Sequence, residues 1–201
     1  MSSKYDFVIQ QGATFNPVLK YQSPQLTVKT ITAVTKSGQA LVTAASHGLA
    51  ADWPVYVVGV VGMAQLNHRP EDLQDASAAY YGYYVDANTM RLNVDTSRMN
   101  AYASGGELLY RAPVNLTGYT ARLQIRETVE ATDTLLSLTT ENGGITLGGT
   151  AGTITLLASA TATAALDFVN AVYDLEVISG SGVVTRLLHG TVTLSKEVTR
   201  A

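Results

Sequence analysis

Hydrophobic and polar residues alternate along most of this chain with the two-residue period of a β-strand. The clearest case is Tyr119-Thr-Ala-Arg-Leu-Gln-Ile-Arg126. There Tyr119, Ala121, Leu123 and Ile125 share one face, and Thr120, Arg122, Gln124 and Arg126 share the other. Residues 5–10, 30–35, 40–43, 55–58, 81–85, 90–94 and 107–110 are short runs of β-branched, aromatic or aliphatic residues. Most are bounded by Gly, Asn, Asp or Pro, and all read as strands. Residues 145–147 and 153–156 flank Gly148-Gly-Thr-Ala-Gly152, a hairpin whose turn tolerates positive φ. Residues 173–178 and 183–188 flank Ser179-Gly-Ser-Gly182 as a second hairpin, and a last strand lies near 191–194. One short helix is predicted within 159–168. Strands at this spacing predict an all-β sandwich or barrel.

Two prolines divide the pattern. Ser23-Pro24 interrupts the first strand region, and Ala112-Pro113 precedes the regular second half. Between them, residues 27–111 open and close with a strand and hold the only Trp and most of the Tyr residues. The expected organisation is an outer β-sandwich of residues 1–26 plus 112–201, with 27–111 inserted as a small β domain. A surface loop accepts added length at little entropic cost.

Composition narrows the function classes. Charged residues are 14 % of the chain, against roughly 25 % in ordinary soluble domains. The polar positions are filled largely by Thr, Ser, Gly and Asn, a surface that suits packing against other proteins. With a net charge of −3 and scattered Lys and Arg, no basic field exists to attract a phosphate backbone, so direct nucleic-acid binding is not expected. The chain has no Cys, which removes disulfides, thiol nucleophiles and Cys-based zinc sites. The first ten residues lack the apolar core of a signal peptide. The longest apolar stretch, residues 54–64, falls short of the roughly 20 residues that span a bilayer. A soluble chain made in a cytoplasm, with no membrane insertion, is expected.

Candidate chemistry is sparse. His47, His68 and His189 lie far apart, without metal-ligand spacing or a neighbouring nucleophile, and His47 and His189 read as a turn and a strand end. The Gly148–Gly152 run lacks the Gly-Lys-Ser/Thr of a phosphate loop. Glu71, Asp72 and Asp75 lack the order of a calcium loop and read as a solvated segment, and the acids of 128–133 read as a turn. No catalytic residue, metal ligand or cofactor is therefore expected. Tyr80-Tyr-Gly-Tyr-Tyr84 is the most suggestive run. Alternation sets Tyr81 and Tyr83 on one face and Tyr80 and Tyr84 on the other, with one pair packed inward and one free for protein contact. Tyr80 and Tyr84 are the candidate contact pair.

Several stretches carry a resemblance. Phe7-Val-Ile-Gln-Gln-Gly12, Leu116-Thr-Gly-Tyr-Thr-Ala-Arg-Leu-Gln-Ile-Arg126, Leu138-Thr-Thr-Glu-Asn-Gly-Gly-Ile-Thr-Leu147, Tyr173-Asp-Leu-Glu-Val177 and Glu197-Val-Thr-Arg200 resemble a group of small tailed-phage virion proteins. Such proteins are tail-, baseplate- or fibre-associated and have an immunoglobulin-like sandwich. Within the insert, residues 42–49, 55–67 and 85–92 are similar to a small β-barrel-like module named after ubiquitin-activating enzymes, which recurs in phage tails without ubiquitin chemistry. This chain departs from the module at residues 68–79, a polar loop of its own.

The resemblance implies a non-enzymatic structural protein of the virion, assembled in the host cytoplasm. It would dock into the tail, baseplate or head–tail region and project the inserted module. Its expected partners are other virion proteins and further copies of itself in a symmetric assembly. A capsid-surface decoration or fibre protein is one alternative. A carbohydrate-binding module or tailspike fragment is another, and it would need an exposed aromatic platform or a carboxylate pair. The terminal strands, 5–10 and 191–194, carry no proline and no inward charge, and are expected to be open edges that a neighbour covers.

Overall fold

The computed structural model describes residues 2–198. The fold is all-β. The first strands are β1 (Ser3–Lys4), β2 (Phe7–Gln10), β3 (Val18–Lys20), β4 (Gln22–Thr30), β5 (Ala33–Val34) and β6 (Leu41–Thr43). Next come β7 (Trp53–Val58), β8 (Tyr80–Asp86), β9 (Thr89–Leu92), β10 (Glu107–Pro113), β11 (Thr120–Arg126) and β12 (Leu136–Thr139). The chain closes with β13 (Ile145–Leu147), β14 (Thr153–Leu156), the short helix α1 (Ala160–Ala164), β15 (Asn170–Ile178) and β16 (Val184–Ser195). Two compact units result. The outer unit joins the residues up to Tyr21 with those from Asn115 onward, and the inserted unit is Gln22–Val114.

In the outer unit, β1 and β2 run parallel along one side of β16, and the sheet continues β16-β15-β11-β12 through antiparallel pairs. A second antiparallel sheet has the order β13-β14-β3. Alternation decides what each strand buries. In β15 the side chains of Ala171, Tyr173, Leu175 and Val177 are buried. They meet Ile9, Leu123 and Val192 from the same sheet and Ile145, Ile154 and Leu156 from the other in one core. Each such side chain contributes roughly 1.5–3 kcal/mol. Two sheets closing on one core make a sandwich-like unit. Ser159 caps α1 by accepting the Ala162 N–H at 3.1 Å. Thr163 Oγ1 donates to the Ala13 carbonyl at 2.8 Å, which pins the helix.

The strand pattern needs three corrections here. First, β16 runs unbroken through His189 and Gly190, so His189 is not at a strand end. Second, residues 191–194 therefore lie between β15 and β2 and are not an edge. Gly190 marks no stop. It leaves room for the N-terminal segment, because a Cβ there would lie 2.1 Å from the Tyr5 carbonyl oxygen. Third, the strand predicted over 5–10 begins only at Phe7, because at Asp6 a side chain replaces the backbone partner. Asp6 Oδ1 accepts the Thr191 N–H at 2.8 Å.

The inserted unit is one seven-stranded sheet, β4-β10-β7-β8-β9-β6-β5, antiparallel at every pairing. Its first and last strands are consecutive in the chain, separated only by Ile31 and Thr32. Ile31 N–H donates to the Gly106 carbonyl beside β10, and Thr32 N–H donates to Thr43 in β6, both at 2.9 Å. The sheet is thus rolled around Trp53, Val55, Met63, Met90, Leu108 and Tyr110. Pro24 does not break β4. It falls on an edge strand, where the pairing with β10 slips between Arg111 and Pro113 and the missing N–H costs nothing.

Each unit holds its own two ends together. In the outer unit, Tyr21 N–H donates to Gly152 at 2.8 Å and Leu116 N–H to Gly149 at 2.9 Å, so both sides of the interruption rest on one tight turn. In the inserted unit, Gln22 pairs with Pro113 and Thr27 with Tyr110. That is the geometry a loop insertion requires.

Candidate functional site

The outer face of the six-stranded sheet brings several ionic side chains together. The register sets Arg122 beside Glu176, Gln124 beside Asp174, and Arg126 beside Val172, all on β11 and β15. On the next strand Arg186 stands beside Glu176, His189 beside Asp174, and Thr191 beside Val172. The Arg122 guanidinium grips Glu176 Oε2 through Nε at 2.7 Å and Nη2 at 2.6 Å. Arg126 is spent on local order: Nη1 donates to the carbonyls of Ala131 and Thr132 at 2.6 Å, and Nη2 to Gln124 Oε1 at 2.9 Å. It thereby ties the loop after β11 back to that strand through Ala131 and Thr132.

A cavity of ≈ 430 Å³ opens at this place, lined by Arg126, Val129, Val172, Asp174, Arg186 and His189 among others. A shallower polar hollow lies beside it over Arg122, Gln124, Asp174 and Glu176. Asp174 and Arg186 form no ion pair among the described residues. His189 Nδ1 is buried there with no hydrogen-bond partner among the described residues. At the far side of β16, the Thr191 backbone N–H holds the Asp6 carboxyl below the usual carboxylate range, with Lys4 at 3.7 Å adding to the effect.

The other two histidines are structural fasteners. Buried His47 accepts the Leu49 N–H on Nδ1 at 3.1 Å, which leaves Nε2–H to donate to the Asp86 carbonyl at 2.7 Å. His68 accepts the Val57 N–H on Nδ1 at 3.0 Å and donates from Nε2 to Ala78 at 2.9 Å. It thus clamps both ends of the polar loop 68–79. Within that loop, Asp72 accepts the Arg69 N–H at 2.7 Å and Asp75 the Ser77 N–H at 2.8 Å, while Glu71 lies 3.9 Å from Arg69. Among the described residues, no three His, Asp or Glu side chains gather as a metal site.

The tyrosines keep the predicted alternation but do not sort into one packed and one free pair. Tyr80 packs against the inserted core, with its ring 4.3 Å from His68 and its hydroxyl donating to Leu66 at 3.1 Å. Burial raises its pKa. Its partner Tyr84 is 41 % exposed, with its N–H on Asp52 Oδ1 at 2.8 Å. On the opposite face Tyr81 is 40 % exposed and meets Tyr83 edge-on at 5.0 Å, with the Arg91 guanidinium 5.1 Å from the Tyr83 ring centre. These rings cross at 68° and make no flat platform.

The cavity was not visible to sequence reasoning, although half its pattern was. Alternation already set Arg122, Gln124 and Arg126 on one face. The same reading of 173–178 puts Asp174 and Glu176 outward. The pairing of these strands with His189 and Arg186 is a matter of register and carries no local signal. Neither the known protein families nor the curated proteins yield a match to this chain.

Proposed function

We propose that this chain is a non-enzymatic structural component of a tailed-phage virion. It docks through its outer unit into the tail, baseplate or head–tail region, and carries the inserted unit as an accessory module. The outer unit is read as immunoglobulin-like and the inserted one as a small barrel. The rolled sheet path, whose ends are joined by two residues, supports the second reading.

The carrying observation is a contrast between sheet edges. In the inserted unit one edge, β4, bears Pro24, Lys29 and an irregular register, and the other, β5, is two residues long. Those are the usual defences against unwanted strand pairing. In the outer unit β2 forms an edge of four residues, Phe-Val-Ile-Gln, with no charge and no proline, and Val8 is 62 % exposed on it. An undefended edge suits a strand that a neighbour covers in an assembly. That neighbour is another virion protein or a further copy of this chain, over an interface above roughly 1,000 Å².

Val8→Lys tests this reading. The side chain points away from the core, so unfolding should shift by no more than about 0.5 kcal/mol. A charge forced into a closed interface should lower incorporation into virions by on the order of tenfold or more. Quantitative mass spectrometry of purified particles measures this. Full incorporation of Val8→Lys would remove β2 as the docking edge, and absence of the wild-type chain from virions would remove the virion reading itself.

A further inference from the structure

We propose that two copies of this chain pair through β2, strand against strand about a two-fold axis at Val8, and that the pairing stops at a dimer. The proposal names the partner of the docking edge described above, and rests on that reading for the choice of edge.

The backbone comes first. Tyr5 and Gln11 donate their N–H groups to His189 and Ser195 of β16, so the odd-numbered residues of this segment turn their backbone groups toward β16. In a parallel ladder the even-numbered residues then turn theirs the other way. Val8 thus presents its N–H and C=O on the open side of β2, while its exposed side chain stands on the outer face. A second β2 laid antiparallel, with Val8 opposite Val8, satisfies those groups with a pair of N–H···O bonds. The Gln10 carbonyl already accepts the Ala13 N–H at 3.2 Å, which favours this register over one centred on Ile9.

Face and charge agree with it. A two-fold axis normal to the sheet keeps each face on its own side, so Phe7 meets Ile9 of the copy and Gln10 meets Asp6. The charged residues of the segment, Lys4 and Asp6, precede Phe7, whereas Gln11, Gly12 and Ala13 after β2 are neutral. Antiparallel pairing therefore sets no charge against its own copy. Parallel pairing would set Asp6 beside Asp6, and like charges in that position destabilise.

The other end of the same sheet explains why the pairing does not spread. β12 is also an edge without charge or proline. Thr140 N–H donates to Ala121 at the β11 side, so Ser137 and Thr139 turn their backbone groups outward. The Asn142 side chain fills that place. Its Oδ1 accepts the Thr139 N–H at 2.9 Å, and its Nδ2–H donates to the Ser137 carbonyl at 3.0 Å. An amide stands where a further strand would pair. One edge plugged and the other bare give a closed dimer, not the open filament of a sheet bare at both ends.

The test uses the full chain. It contains no Cys, so single-Cys variants each report one distance. Val8→Cys puts two thiols beside the axis at a Cα separation of about 5.5 Å, within disulfide range. Thr193→Cys, at the exposed neighbour of Val8 on β16, sets them about 15 Å apart. Mild oxidation should link Val8→Cys into dimers and leave Thr193→Cys unlinked. Light scattering at about 100 μM should show the wild type as a dimer, for a Kd on the order of 10 μM. Val8→Lys should raise that Kd at least about tenfold. A monomeric wild type, species that grow beyond a dimer, equal cross-linking of the two Cys variants, or undiminished dimerisation of Val8→Lys would each overturn the proposal. A chain that is monomeric in solution yet present in virions would lose the self-pairing and keep the docking reading. A dimer absent from virions would do the reverse, so the two failures are told apart.

Discussion

Gly190→Ala is expected to unfold the outer unit at markedly lower urea or temperature, by about 3–5 kcal/mol, and to release the N-terminal strands first. The added Cβ would sit 2.1 Å from the Tyr5 carbonyl oxygen and 2.8 Å from Asp6 Oδ1. Tyr5 is backbone at that contact, so no rotamer change relieves it. Three hydrogen bonds converge at this contact: Tyr5 N–H to His189 at 3.0 Å, Thr191 N–H to Asp6 at 2.8 Å, and Tyr173 O–H to Tyr5 at 2.7 Å. Pushing the contact apart breaks or strains all three. It also loosens Phe7 and Ile9, which the following strand delivers to the core. Amide exchange should show lost protection on β1, β2 and β16, with the inserted unit unaffected. Gly38→Ala is the control, since a Cβ there meets nothing within 4 Å, and it should change stability little. Equal stability of Gly190→Ala and wild type would mean that the N-terminal segment does not lie against β16 at Gly190 as described.

Trp53→Ala should be comparably damaging to the other unit. The indole is 1 % exposed in the inserted core, and its Nε1–H donates to the Arg111 carbonyl at 2.8 Å. Truncation leaves a large cavity and one unsatisfied carbonyl, at a cost of about 3–5 kcal/mol. A domain of this size is stable by only roughly 5–14 kcal/mol, so the loss is a large fraction of the whole. As the only Trp, Trp53 also reports on its own unit. In the wild type its emission should be blue-shifted and should redden when the inserted unit unfolds. Amide exchange in Trp53→Ala should show β4 to β10 opening early while β11, β15 and β16 keep their protection. Simultaneous loss in both units would show that they unfold as one.

The sequence exposes the strands it writes in strong alternation, such as β11 and β15, and it loses those written weakly. β3 is three residues after Pro17, and β12 is Leu-Ser-Leu-Thr, with no aromatic and one β-branched residue. Both are held by neighbours that only the fold brings near. Gly190 reads locally as a break, although its meaning comes from Tyr5, far away in the chain. The tyrosine run shows the same limit. Alternation fixes which face each ring takes, but Tyr80 differs from Tyr84 because His68 closes a loop beside one of them and not the other. The cavity follows this rule too. Its Arg and Asp residues are legible as outward positions on single strands, while their convergence on His189 is set by register across three strands.

The proposed division of labour between the units is tested most directly by removing one. Tyr21 and Leu116 both hang on the turn at Gly149 and Gly152, so a short Gly-Ser linker can replace residues 22–114 without straining the outer unit. The truncated chain should fold, with far-UV circular dichroism of β structure and a cooperative melt. Counted by mass spectrometry of purified virions, it should be incorporated at the same copy number as the full chain. A truncated chain that folds and yet is missing from particles would contradict the account, because docking would then belong to the inserted unit.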